Sequence, residues 1–371
     1  MQNQHVTPPS SFTQQALTPP PTDKKPFAQA RRAVALFTAI FTARQTGSHT
    51  KQESWTEFQL TPGEYAELDR LLSRDEVLLG FVKDKIRYDY DPESHRLVVR
   101  MPTGIHELFI DGVEDAIRCW LKTIRGQPGN AAGFAHKVRP ARSTAIYFPV
   151  DNSLCNAKSK HEPDASFWHE DAQYPGVIVE VSFSQKREAL ERLAETYLLD
   201  SDASVRVVVG LDIGYDRNET SEATLSVWRT QIFHTADGDE LRVVKVVADE
   251  AFRNKQGEPT NHLGLRLSLS DFACEELTEG VMDDKWPEII ISTQQLCQYL
   301  FAAEHKFKLP DALVKHTIAP RVKKRKRSAT PPEKITSSDE AMFAKQEERA
   351  AKRAECDSDY EERSSINSLS D

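Results

Sequence analysis

The chain has 371 residues, a formal net charge of −9, and 39% hydrophobic against 28% charged residues. That balance can bury one sizeable core, or two small ones, besides polar tails. It excludes a protein whose whole surface binds nucleic acid, while leaving room for a local basic groove. The five cysteines, Cys119, Cys155, Cys274, Cys297 and Cys356, are scattered without a CxxC pair, which excludes a disulfide framework and a cysteine zinc site. The apolar run Ala33 to Phe41 is too short to span a bilayer, so the sequence predicts a soluble chain with no membrane partner.

In chain order, residues 1 to about 29 are rich in Pro, Thr, Gln and Ser and are expected to be disordered. Ala28 to Arg44 reads as a docking helix, with a mitochondrial presequence as the alternative. Residues 1–50 are therefore taken as an N-terminal segment containing one short helix. The folded domain is assigned to 51–310, and it opens with an amphipathic helix at Pro62 to Leu72. Lys85 to Asp91 and Arg96 to Met101 alternate like the strands of a hairpin around an Asp-Pro-Glu-Ser turn. A long helix is expected from Ile105 to Ile124, with Leu108, Phe109, Val113, Ile117, Trp120 and Leu121 inward and Glu107, Asp111, Glu114, Asp115, Arg118 and Lys122 outward. Ser143 to Val150 reads as a strand.

The stretch from His161 to Tyr215 organises the rest. In Gly176-Val-Ile-Val-Glu-Val-Ser-Phe183, period two puts Val177, Val179, Val181 and Phe183 on one face and Ile178, Glu180 and Ser182 on the other. A lone carboxylate in such a strand is costly unless it is paired, hydrogen-bonded or bound to a metal, and Asp164, after Pro163, is the nearest candidate partner. Leu190, Leu193, Ala194, Tyr197 and Leu198 keep helical spacing, and Ser204 to Ile213 is a nearly continuous apolar strand. Strand, helix and strand with short joints predict a right-handed parallel βαβ unit. Glu222 to Thr230 and Leu241 to Ala248 read as two further strands, and Thr293 to Lys306 as a last helix with Leu296, Leu300 and Phe301 inward. Residues 311–371 are expected to form a basic, then acidic, disordered tail.

This order, with Pro163 and Asp164, Glu180-Val-Ser182 and the helix ending in Tyr197, resembles the PD-(D/E)XK, or restriction-endonuclease-like, superfamily over roughly residues 55 to 235. Arg87-Tyr-Asp-Tyr90, Arg100-Met-Pro-Thr103 with His106 and Glu107, and Tyr174-Pro175 are similar to features of its uncharacterised fungal branch. The resemblance implies an α/β fold with a mixed sheet and a restriction-endonuclease-like core. It also implies a DNA-cleaving hydrolase that holds Mg²⁺ (or Mn²⁺) between Asp164 and Glu180, since hard cations take carboxylate oxygens and lower the pKa of a bound water. The family's lysine position is Ser182 here. Lys186 can reach back to take that role, Gln185 can position the water, and Glu107 stands where some members add a third acid.

Two readings follow from Ser182: a Mg²⁺-dependent DNA phosphodiesterase, or a catalytically degenerate member of the same fold that binds nucleic acid or protein. A rival cluster of His161, Glu162, Asp164, His169, Glu170 and Asp171 matches no compact zinc spacing. Arg321, Lys323, Lys324, Arg325, Lys326 and Arg327 form a basic run, which predicts recognition by a nuclear import receptor and nuclear accumulation, or else a DNA tether.

Overall fold

The structure is a computed structural model, and it describes residues 27–47, 55–150, 158–182, 187–213, 221–281, 285–308, 313–319, 321–323, 342 and 345. The expectations for residues 1–26, for Gln185 and Lys186, for Lys324 to Arg327 and for most of the tail lie outside the described residues. The chain divides into two compact units, Met1–Leu313 and Val314–Asp371. All elements named below belong to the first.

An N-terminal lobe contains α1 (Ala28–Thr46), β1 (Trp55–Gln59), α2 (Pro62–Leu72), α3 (Glu76–Lys85), β2 (Arg87–Asp91) and β3 (Arg96–Arg100). Ala30, Ala33, Phe37 and Ile40 form one buried seam of α1 against α2 and α3, so this segment is part of the fold. Helix α2 starts where the sequence says it must: Thr61 and Glu64 form a reciprocal capping box and Pro62 takes the first turn. Asp75 caps α3 by accepting from the Leu78 amide at 2.9 Å. The hairpin forms as expected, with Asp89 opposite Val98 and Arg87 opposite Arg100.

The chain then runs through α4 (Gly104–Arg125), α5 (Asn130–Lys137), β4 (Val138–Pro140), β5 (Ile146–Pro149), β6 (Lys158–His161), β7 (Ala165–His169), β8 (Val177–Ser182), α6 (Arg187–Leu199) and β9 (Val207–Ile213). It continues as β10 (Ala223–Thr235), β11 (Gly238–Arg253), β12 (Leu265–Ser268), a 3-10 turn at Leu269–Phe272, α7 (Glu275–Thr278), β13 (Glu288–Ile291) and α8 (Thr293–Lys308). One sheet has the order β1-β3-β2-β6-β5 and a larger one the order β11-β10-β9-β8-β7-β4, while β12 and β13 pair with each other. Strands β4, β7 and β8 are antiparallel neighbours, and β8 and β9 run parallel across the α6 crossover, with Glu180 beside Gly210 and Ser182 beside Asp212. The βαβ expectation is met.

Two contacts fix how closely the layers approach. A Cβ on Gly210 would lie 2.6 Å from the Trp228 ring and 2.7 Å from Leu190, so the missing side chain lets α6 close onto β9. A Cβ on Gly176 would lie 2.3 Å from the Asp271 carbonyl oxygen, so backbone packs on backbone where β8 begins.

The long helix is rotated from its expected setting. Leu108 and Trp120 are exposed, whereas Ile110 and Glu114 are buried. Helix α4 is covered by α8 and β13 as well as by the sheet, and the Trp120 indole N–H donates to the Ile290 carbonyl at 2.7 Å from the rim of that contact. Phe301 is also exposed, because α8 turns Leu296, Leu300 and Ala303 inward and residue 301 lies about 100° round the helix from Leu300. Strands β10 and β11 are longer than expected, and their far ends project into solvent.

Candidate active site

Asp164 stands just before β7 and Glu180 in the middle of β8, and antiparallel pairing of the two strands puts both at one cavity of about 120 Å³. Arg87, Arg100, His106 and Ser182 line the same cavity. Glu180 is only 2% exposed, and both of its oxygens are engaged. Oε1 accepts from the Tyr197 hydroxyl at 2.8 Å, and Oε2 accepts from Arg100 Nη1 at 3.0 Å. Tyr197, on the buried stripe of α6, is thus both a core residue and a partner of the acid.

Asp164 is as fully engaged. Its Oδ2 accepts from the Val181 amide at 2.8 Å and lies 2.9 Å from His106 Nε2, while Oδ1 accepts from Arg87 Nη1 at 3.1 Å. The placement of His106 is local in origin. Thr103 caps α4 by accepting from the His106 amide at 3.3 Å, which fixes the first turn of the helix and aims its positive dipole end toward this acid. Glu107, one residue on, is partly exposed and pairs with Arg87 at 3.1 Å, so it reaches Asp164 through that arginine.

Arg100 joins the parts. Besides Glu180 it donates to Asp89 at 3.1 Å and to the Glu162 carbonyl, and its Nη1 lies 4.0 Å from Asp164 Oδ1. Asp89 also accepts from the Glu162 amide at 2.8 Å, and Glu162 pairs with Lys160 at 2.7 Å. The carboxyl groups respond in opposite directions. Burial works to raise Asp164, but His106, Arg100 and Arg87 outweigh it and hold the group below the usual carboxylate range. Burial pushes Glu180 well above its ordinary value, against the pull of Arg100 and with repulsion from Asp164 and Asp89 adding to it. Burial, then Glu180 and Asp89, likewise push the Tyr197 hydroxyl up.

Ser182 Oγ is buried without a hydrogen-bond partner. Lys186 and Gln185 lie outside the described residues. The rival cluster is dispersed: the His161 ring is buried with both nitrogens unpartnered, Glu162 serves Lys160 and the Tyr88 amide, and His169 faces Asp171 at 3.9 Å. Among the described residues no group of three His, Cys, Asp or Glu side chains is arranged to hold a metal ion.

The donor set nevertheless fits a hard divalent cation in kind, because two carboxylates on adjacent strands meet at one cavity. The Arg100 guanidinium is a stand-in for that charge, touching Glu180 and approaching Asp164. Any bound cation therefore competes with Arg100.

Arg87, Asp89 and Arg100 were part of the sequence resemblance, yet sequence reasoning gave them no role. A signal was present. Hairpin register sets Arg87 directly opposite Arg100, and facing like charges are destabilising unless an anion lies over them. Comparison with protein-family models and with curated proteins gives no match to this chain.

Proposed function

We propose that the chain is a metal-dependent DNA phosphodiesterase with a PD-(D/E)XK-type site. The observation that carries this reading is the convergence of Asp164 and Glu180 on one cavity, from an antiparallel β7–β8 pair followed by a parallel crossover through α6 to β9. Mg²⁺ or Mn²⁺, held by Asp164 and Glu180, would supply an activated water and neutralise charge on the phosphate. The protein's own groups prepare the site. His106, Arg87 and the Val181 amide fix Asp164 in its ionised form, and Tyr197 and Arg100 fix Glu180. Arg87, which is less buried than the acids, presents positive charge at the cavity wall, and Glu107 positions it. Ser182 cannot supply the lysine's charge, so that part of the reading rests on Lys186 and Gln185.

A second reading, a degenerate binding module, is favoured by Arg100 standing where a cation would sit. Metal titration of thermal stability together with cleavage assays separates the two. For the phosphodiesterase, saturating ion at about 100 times Kd adds roughly 2.7 kcal/mol. Asp164→Asn and Glu180→Gln each abolish most of that gain and all cleavage. No metal-dependent stabilisation and no cleavage on varied DNA forms would leave the binding module. The run Arg321 to Arg327 is proposed to engage a nuclear import receptor. Unchanged localisation of a tagged protein with its six basic residues replaced by Ala overturns that role.

A further inference from the structure

A second groove, of about 380 Å³, adjoins the candidate site and shares Arg87, Arg100, Met101 and Pro102 with it. Its outer wall is built by the C-terminal ends of two helices of the N-terminal lobe, with Arg44 from the last turn of α1 and Lys83 and Lys85 from the last turn of α3. Cations at helix C-termini are ordinary, because they offset the negative end of the dipole. That explains why each residue is basic. It does not explain why two helix ends converge on one groove that leads to a buried acid pair.

The balance of charge in the groove is informative. Arg44, Lys83, Lys85, Arg87 and Arg100 face Asp84, Glu107 and Glu162. Glu107 is committed to Arg87, Glu162 to Lys160, and Arg100 to Asp89 and Glu180. Arg44, Lys83 and Lys85 are exposed and make no salt bridge among the described residues; Arg44 lies over the Phe81 ring at 5.8 Å, and Lys83 interacts with Asp69 at longer range. Three uncommitted cations against Asp84 leave a local positive surplus on a chain whose net charge is −9. Lysine ammonium groups and an exposed arginine suit phosphate oxygens, and fixed cations leading toward a reacting centre suit a phosphate repeat.

We infer that Arg44, Lys83 and Lys85 form the track for the sugar-phosphate backbone of DNA, delivering it past Arg87 to the Asp164–Glu180 cavity. This inference rests on the phosphodiesterase reading for its direction, but it is tested by binding alone. The full-length chain is used with Arg321, Lys323, Lys324, Arg325, Lys326 and Arg327 changed to Ala, so that the basic run does not mask the groove. Binding of a fluorescein-labelled DNA duplex is followed by anisotropy in EDTA, between about 50 and 200 mM salt. In that background, Arg44→Ala, Lys83→Ala and Lys85→Ala together should lower the slope of log K against log salt by about 2.7, which is 0.9 for each phosphate released. All three side chains are exposed at helix ends, so the melting temperature should stay as in the parent.

A parent that does not bind DNA, or a folded triple variant with unchanged affinity and slope, overturns the track. Binding to duplex RNA but not to DNA overturns the choice of partner. DNA binding lost with the three residues, in a protein that cuts nothing under any metal condition, upholds the track while the phosphodiesterase reading falls.

Discussion

The two faces of β8 are buried to the same degree and held by different physics. Val177, Val179 and Val181 pack with Phe109, Val113, Ile117 and Phe167 in a core with no polar group to satisfy. There, removal of apolar area accounts for the stability, at about 1.5–3 kcal/mol for each large side chain. On the other face Ile178 and Glu180 lie under α6, and Glu180 is as inaccessible as its valine neighbours. Taking a carboxylate out of water costs several kcal/mol, so every oxygen of Glu180 and Asp164 has a donor and the charges close into a network through Arg100. Equal burial therefore does not mean equal tolerance. One face tolerates changes that preserve volume, and the other depends on partners from β3, α4 and α6 all arriving together.

The largest expected effect comes from removing the partner that closes the network. Arg100→Met keeps an apolar stem but leaves Asp89 and Glu180 buried without their cation, which should cost about 3–5 kcal/mol at neutral pH in denaturant unfolding. Added Mg²⁺ or Mn²⁺ should restore more stability to this variant than to the wild type, because the competing guanidinium is gone. Equal metal responses in the two proteins would show that Arg100 does not stand in a cation's place.

A pH series sharpens the contrast. Glu180 is raised in the folded state, so its contribution is fully present below the ordinary glutamate value of 4.5 and is lost as pH rises toward the folded value. Glu180→Gln removes that titration, so the variant should gain on the wild type as pH increases from about 4.5. Asp164 has the opposite sign: its depressed value gives stability above the ordinary carboxylate range that is lost on acidification, so the penalty of Asp164→Asn should shrink as pH falls. Substitutions on the valine face should show no such dependence. Penalties independent of pH at both acids would remove the physical distinction between the faces.

The smallest effect is expected at Tyr197→Phe, which keeps the ring packed against Phe148 and His161 and deletes only the hydroxyl donated to Glu180. A loss of about 1–3 kcal/mol is expected in unfolding experiments. A neutral result would mean that Arg100 alone suffices for Glu180.

The sequence by itself determined the elements whose signal is local. Thr61, Pro62 and Glu64 set the start of α2, the change from period two to helical spacing set β8 and α6, and the apolar run of β9 required cover on both faces. It also singled out Glu180 and Asp164, because a carboxylate in an apolar strand needs a partner wherever the strand ends up. The partners themselves were decided by tertiary structure. Arg100 is 80 positions from Glu180, and His106 is 58 from Asp164. Periodicity says which face a residue occupies and nothing about what comes to lie against that face. The rotation of α4 has the same cause: α8 and β13 cover part of a helix whose own pattern reports a single stripe, so burial of Glu114 and exposure of Trp120 follow from neighbours that fold onto it from more than 160 residues away.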